Sequence, residues 1–488
     1  MSLHENTPYI TISNNRQILF SVPADLNCIS TYVLLEQGRW FEKEIDFIYR
    51  YVTPGMTALD IGANIGVYTL PLATRTGQSG QVVAYEPGTV NRRHLERCLT
   101  MNHCSNVTLS DAALSDFSGT GWLKIGESGE LNQLVPLQTD SETVESVEVT
   151  TLDTELDRFN WAQVDFVKID AEGSEEAVLR GGRRFLKRYS PLIMIEITHG
   201  STTNLSLIEN FQALGFGIFR LLGDGSMLVA TGRMDEIDCF ELNLFAARPD
   251  QANRIAKLGL LASPGGTSEL SATEKSAAIA FYCALPFAQA FEIGPADVDQ
   301  CPFRGALVAY SAYRFLPSLS PDRRLALLQM AYAELLAYCQ ENRSAAALSS
   351  LSRVAHDLGH REAAHQTLLR YFSDTELIEL DQPFFPPSER FEGNGSTSAN
   401  DWFLYAITEM LELRSSYSSL FCHDMSRLKW LAEHESVSDE ILRRLVLVGL
   451  RVGMPKSEIV GYLSQLRYKN GMRNEDWHKT VQSLIASI

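Results

Sequence analysis

From Ile45 to Ala247, short runs of β-branched and other apolar residues alternate with stretches whose apolar residues recur at helical spacing. That rhythm belongs to a mainly parallel sheet covered by helices on both faces. Strands are predicted at Thr57–Ile61, Gln81–Tyr85, Val107–Ser110, 164–169, 192–197, Gly217–Leu221 and 240–246. Seven strands make one doubly wound α/β sheet. The stretch SPGGTS at 263–268 concentrates turn formers, and beyond it strand-like runs nearly vanish while Ala, Leu and Arg dominate. The expected division is an α/β domain over 1–262 and an all-α domain over 268–488.

Within the second part, Leu351, Val354, Ala355 and Leu358 mark one helix, Gly359 ends it, and a second covers 362–372. With Ser352, Gly359 and Ala364 at suitable spacing, this unit faintly resembles a tetratricopeptide hairpin. No period of about 34 residues recurs, so an irregular helical bundle is the plainer reading. The segment 383–401 is expected to be a surface loop between two helical halves, and 276–291 a buried helix pair.

Composition narrows the function classes. Hydrophobic residues make up 45% and charged ones 21%, the balance of a soluble globular chain. Acidic residues outnumber Lys and Arg by 60 to 42, a net charge of −18, so the overall field opposes a nucleic-acid substrate. The start MSLHENTPYITIS lacks a basic stretch followed by an apolar one, and no run reaches the length of a membrane span. The eight cysteines form no C-x-x-C pair, which points to reduced thiols in the cytoplasm. His356, His360 and His365 cluster in sequence, but Gly359 separates the first two, so they are expected to be solvated helix residues.

The chemistry concentrates at predicted strand ends. In TALDIGANIGVYTL, a strand runs into a turn bearing Asp60, Gly62, Asn64 and Gly66 and then a helix, whose N-terminal N–H groups suit an anionic group. The spacing is not the G-x-G-x-x-G of dinucleotide binding. The next strand ends in Glu86, 20 residues after Gly66, where it can accept from both hydroxyls of a ribose. A nucleoside ligand follows from the two together. The third strand ends SDAAL, and Asp111 with the Ala112 N–H is suited to the edge of an adenine. The strand before DAEGSEE delivers Asp170 and Glu172, and the next delivers Glu196 and His199 to the same sheet edge, a concentration expected of an active site. Each has a plainer reading: helix caps for Asp170 and Glu172, an ion pair for Glu196, a solvated loop for His199. Asp170, Glu172 and Glu196 are also of the type that holds magnesium through carboxylates and water, a less favoured alternative.

These segments, with GRWFEKE before them and ELNLFAARPD after, resemble the FkbM family of S-adenosylmethionine-dependent methyltransferases over roughly 36–249. KIDAEGSEEAVLRGG is the most specific piece, although the family more often has valine where Ala171 stands. The resemblance implies a Rossmann-like class I fold, with Asp60, Gly62, Asn64 and Gly66 around the methionyl part of the cofactor. It also implies Glu86 on the ribose, Asp111 by the adenine, the Asp170 and Glu172 loop beside the sulfonium, and Trp40 and Glu42 folding over. The implied reaction is O-methyl transfer, to a sugar hydroxyl of a surface glycan or to a polyketide or peptide natural product. Asp170, or Glu172, or His199 with a carboxylate orienting it, would take the hydroxyl proton. A non-catalytic protein that senses the cofactor is the rival from another class. The helical part would dock a protein partner, close over the acceptor or self-associate.

Overall fold

A computed structural model describes residues 8–126, 132–135, 143–199, 202–231, 237–372, 380–381, 383–393, 399–422, 425–466, 477 and 479–482. The chain forms two compact units: Met1–Arg220 with Glu241–Arg254 and Leu442–Ile488, and Leu221–Phe240 with Ile255–Ile441. Neither is one continuous stretch, whereas the sequence suggested a single boundary between 262 and 268.

The first unit holds seven strands of one sheet: β1 (Thr57–Ile61), β2 (Gln81–Tyr85), β3 (Val107–Ser110), β4 (Phe166–Ile169), β5 (Leu192–Glu196), β6 (Gly217–Leu221) and β7 (Asn243–Ala247). Their spatial order is β6-β7-β5-β4-β1-β2-β3. Pairing is parallel from β3 to β5, and β7 runs antiparallel to both β5 and β6. This is a doubly wound, Rossmann-like sheet, with its order reversing between β1 and β4. Residues 58–61 and 166–169 are buried throughout, as strands covered on both faces require. Helices α1 (Ile29–Gln37), α2 (Glu44–Tyr51), α3 (Thr69–Thr76), α4 (Thr89–Met101), α5 (Leu152–Phe159) and α6 (Glu175–Arg180) belong to this unit.

Two features of it have no counterpart in the sequence reading. A hairpin of Tyr9–Ser13 and Leu19–Pro23 is fixed to α4 through Asn102, whose side chain accepts from Leu19 N at 2.9 Å and donates to its carbonyl at 2.7 Å. A four-stranded sheet of Ala113–Leu114, Gly119–Lys124, Gln133–Val135 and Val144–Thr150 follows β3.

The second unit is mainly helical. Its helices include Ala272–Cys283, Pro286–Ala290, Arg304–Phe315, Pro321–Glu341, Ala345–Leu358, Arg361–Tyr371 and Ala399–Ser415. Gly359 caps the helix before it at φ 94°, the left-handed conformation that favours glycine at such an end. The 276–291 stretch is a helix pair, but only Ala278, Tyr282, Phe287 and Ala288 of these two helices are buried, because one side faces solvent. The expected surface loop is corrected in its first half: Phe384 and Phe385 are fully buried, and Ser349 Oγ donates to the Phe385 carbonyl at 2.7 Å. The rings satisfy the core while serine hydroxyls satisfy the irregular backbone. His356 is also not simply solvated: it bonds Asp357, and burial pushes its imidazole down to about 4. All eight cysteines are free, and no helix among the described residues is long and apolar enough to cross a membrane.

Candidate active site

At the carboxyl edge where β1, β2, β4 and β5 end, backbone bonds tie the strand ends together. Gly62 N and Ala63 N both donate to the Tyr85 carbonyl, at 3.1 and 3.0 Å, and Asp170 N donates to the Ile61 carbonyl at 3.1 Å. Gly62 has φ 77°, and a Cβ there would sit 1.7 Å from the Asp170 carbonyl oxygen. Both its conformation and this close approach demand glycine. Asn64 takes the left-handed conformation at φ 49°, tolerable for asparagine. Its side chain accepts from Ile65 N at 2.7 Å.

Glu86 stands at the end of β2 and is buried. Its carboxylate accepts from Asn64 N at 2.7 Å and from Gly88 N at 2.8 Å, so it braces the glycine turn from the neighbouring strand. Burial pushes its carboxyl up to about 7, against the pull of these two N–H donors. Asp111 is exposed at the end of β3, and Ala112 N donates to Ser110 Oγ at 3.3 Å.

Lys168 and Asp60 are registered neighbours on parallel strands β4 and β1. Lys168 Nζ lies 2.9 Å from Asp170 Oδ2 and 3.6 Å from Asp60 Oδ1, and donates to the Gly62 carbonyl at 2.9 Å. Burial alone would lower its pKa, but the two carboxylates outweigh this and hold the ammonium protonated. Burial raises the Asp60 carboxyl, opposed by Lys168 and by Thr69, whose hydroxyl donates to it at 2.6 Å.

The loop after β4 is held from below. Glu175, fully buried, accepts from Ala171 N at 2.9 Å and Gly173 N at 3.0 Å. Above it Glu172 is in the left-handed region at φ 46°, a conformation that a non-glycine residue holds only when its surroundings enforce it. Asp170, Glu172 and Glu196 offer carboxylate oxygens all within 4.8 Å of one another, a spacing a cation could use. His199 lies on the short strand Thr198–His199, and its side chain lies outside the described residues.

Glu42 collects three donors: Trp40 Nε1 at 2.8 Å, Asn243 Nδ2 at 2.8 Å and the Tyr68 hydroxyl. The Tyr68 ring in turn faces Lys168, with Nζ 5.1 Å from its centre. Trp40 and Glu42 therefore reach the same charged cluster as Asp60 and Asp170. Burial raises the Glu42 carboxyl, and pushes that of neighbouring Glu44 up to about 8. Lys168, Tyr68, Glu175 and Asn243 were not singled out from sequence. A signal existed for Lys168, which precedes Asp170 by two strand positions and so shares its face.

This arrangement can receive a nucleoside ligand against the bare turn and set carboxylates beside it. Residues 60–218 match the family model described as the methyltransferase FkbM domain. The chain carries an FkbM methyltransferase domain. No protein of curated function matches the chain. Among solved structures, similarity extends to methyltransferase FkbM from Methylobacillus flagellatus KT, at 20% identity over 41% of this chain and 47% of that one, TM-score 0.29. Thus under half of that protein's length is spanned. A SAM-dependent methyltransferase from Aquifex aeolicus is similar at 15% identity over 44% and 90% of the chains, TM-score 0.25. M. jannaschii TYW2 in complex with AdoMet is similar at 13% identity over 50% and 87%, TM-score 0.28. The matched region thus runs from the end of β1 to the start of β6, including the glycine turn, Glu86 and the Asp170 loop.

Proposed function

We propose that the chain is an S-adenosylmethionine-dependent O-methyltransferase that methylates a hydroxyl, in a sugar of a glycan. The observation that carries this reading is the convergence of the Gly62 turn, Glu86 and the carboxylates of Asp170, Glu172 and Glu196 at one sheet edge within the FkbM domain. The cofactor is S-adenosylmethionine, which supplies an electrophilic methyl on a sulfonium. Asp60, Gly62, Asn64 and Gly66 would surround its methionyl part, Glu86 its ribose, and Asp111 with Ala112 its adenine. The cradle fits: Gly62 leaves bare backbone beside Asp170, and Glu86 keeps unused lone pairs after its two backbone bonds.

What the residues do is hold the acceptor oxygen in line, exclude water and take one proton. Asp170, with one oxygen tied to Lys168, is the first candidate acceptor of that proton, ahead of Glu172 and His199. For a sugar acceptor, half-buried Trp40 and Phe41, ring centres 4.9 Å apart, would be the rings to stack against. On this reading the proton acceptor works without a metal ion, so turnover should persist after exhaustive chelation, and its loss would favour a cation held by Asp170, Glu172 and Glu196.

The test is methyl-ether formation, followed by mass spectrometry, with neutral oligosaccharides and with hydroxylated polyketides as acceptors. Asp170→Asn, Glu172→Gln and His199→Asn are compared with the unaltered chain. General base catalysis is worth about 10²- to 10⁴-fold, and one of the three should lose that much turnover. Unchanged turnover in all three would refute the proton acceptor assignment, and transfer to polyketides alone would refute the glycan.

A further inference from the structure

Three charged groups on two adjacent strand ends meet in the bed of the candidate site. Lys168 bridges Asp170 and Asp60 at 2.9 and 3.6 Å, its side chain 4% exposed and that of Asp60 fully buried. The Gly62 carbonyl takes another of its protons, so one ammonium fixes both loops that line the site. Asp170 is 31% exposed, but with Lys168 and Asp60 shielded from water a unit of charge here acts on a neighbour more strongly than in solvent. With both carboxylates ionised beside one ammonium, the group carries one net negative charge. Glu172 and Glu196, both half-buried, place two further carboxylates within 4.8 Å of that of Asp170.

We propose that Asp60, Lys168 and Asp170 form a charge-balancing triad that distinguishes the cationic methyl donor from its neutral product, with Lys168 setting the balance. The inference rests on the cofactor reading above. S-adenosylmethionine and S-adenosylhomocysteine differ by one methyl and one positive charge at sulfur. A singly negative triad matches the sulfonium. On transfer, the bond from the acceptor oxygen to the methyl carbon forms, the sulfur–methyl bond breaks with its electron pair left on sulfur, and the hydroxyl proton passes to Asp170. The sulfur loses its charge in the same event that neutralises the triad, so the two together stay neutral from start to finish. Once Asp170 returns its proton to water, the triad again favours the charged donor. Lys168 is a positioning residue in this scheme: it holds Asp170 in place and removes one unit of negative charge.

The test is calorimetric titration of the full chain, as wild type, Lys168→Met and Asp170→Asn, with each of the two ligands. The readout is the ratio of their dissociation constants. Damage to the fold or the loops weakens both ligands alike and cancels in that ratio, whereas a change of charge acts on the sulfonium alone. Lys168→Met makes the triad doubly negative and should shift the ratio about tenfold toward S-adenosylmethionine, while Asp170→Asn makes it neutral and should shift it about tenfold the other way. Lys168→Gln replaces the methionine variant if that one does not fold, with the same direction expected. A ratio that does not move, or that moves the same way in both variants, overturns the proposal. Wild-type protein that binds neither ligand overturns the cofactor reading itself, and the triad with it.

Discussion

Individual residues of the candidate site show burial competing with charge. Glu44 is almost fully buried next to Lys43, Glu42 and Glu241, and burial pushes its carboxyl up to about 8. A raised folded-state pKa means that the group stabilises the fold fully at low pH, below the ordinary carboxylate range. That contribution is lost as pH rises through about 8. Glu44→Gln should therefore melt at nearly the wild-type temperature at about pH 4 and above it at pH 9. The gap corresponds to about 2–4 °C for each kcal/mol in a unit of this size. A gap equal at both values would show that burial does not raise the Glu44 carboxyl. Much at this scale was legible in sequence. Asp60, Gly62, Asn64, Gly66, Glu86 and Asp170 sit at strand ends, where chain position alone fixes which edge they reach. Lys168 was not legible as part of the site, since a lysine in a strand reads as a solvated residue until Asp60 and Asp170 close on it. Asn243 lies 201 positions from the Glu42 it bonds, beyond the reach of any local pattern.

At the scale of elements, the main sheet followed from periodicity because its strands are short apolar runs between turn formers. The small sheet after β3 did not, since Gly119–Lys124 carries two glycines and exposed positions. The returning C-terminal segment was also invisible. Trp477, buried, donates through Nε1 to the Leu35 carbonyl at 2.9 Å, and Arg443 Nε donates to the Glu36 carbonyl at 2.7 Å. Both carbonyls lie in the last turn of α1, just before the loop carrying Trp40 and Glu42. Trp477→Ala should destabilise the first unit by about 3–5 kcal/mol, as truncating a buried aromatic side chain does. Thermal or denaturant unfolding measures it, and a loss under about 1 kcal/mol would mean that the segment does not brace α1.

At the scale of the whole molecule, the chain passes between its two units four times, after Arg220, Phe240, Arg254 and Ile441. No single cut separates them. A fragment of residues 1–262 would keep the FkbM domain but lose 442–488 from the first unit's core, and would carry 221–240 without the helices that surround that stretch. It is expected to be less soluble than the full chain, to melt at lower temperature and to bind S-adenosylmethionine at least about tenfold more weakly. Differential scanning calorimetry and titration of the two forms compare them directly, and a fragment equal to the full chain would show that 442–488 is dispensable. Sequence could not reveal this division, because turn-former clusters mark breaks along the chain and say nothing of which later segment returns to an earlier core.

The reading of the site stands or falls on whether the Gly62 turn and Glu86 hold S-adenosylmethionine. Calorimetric titration of the full chain with that cofactor, beside Asp60→Ala and Glu86→Ala, tests it most directly. Dissociation constants in the micromolar range are expected for the unaltered chain, with loss of measurable binding in both variants. Wild-type affinity retained in both variants, or no binding to the unaltered chain, would contradict it.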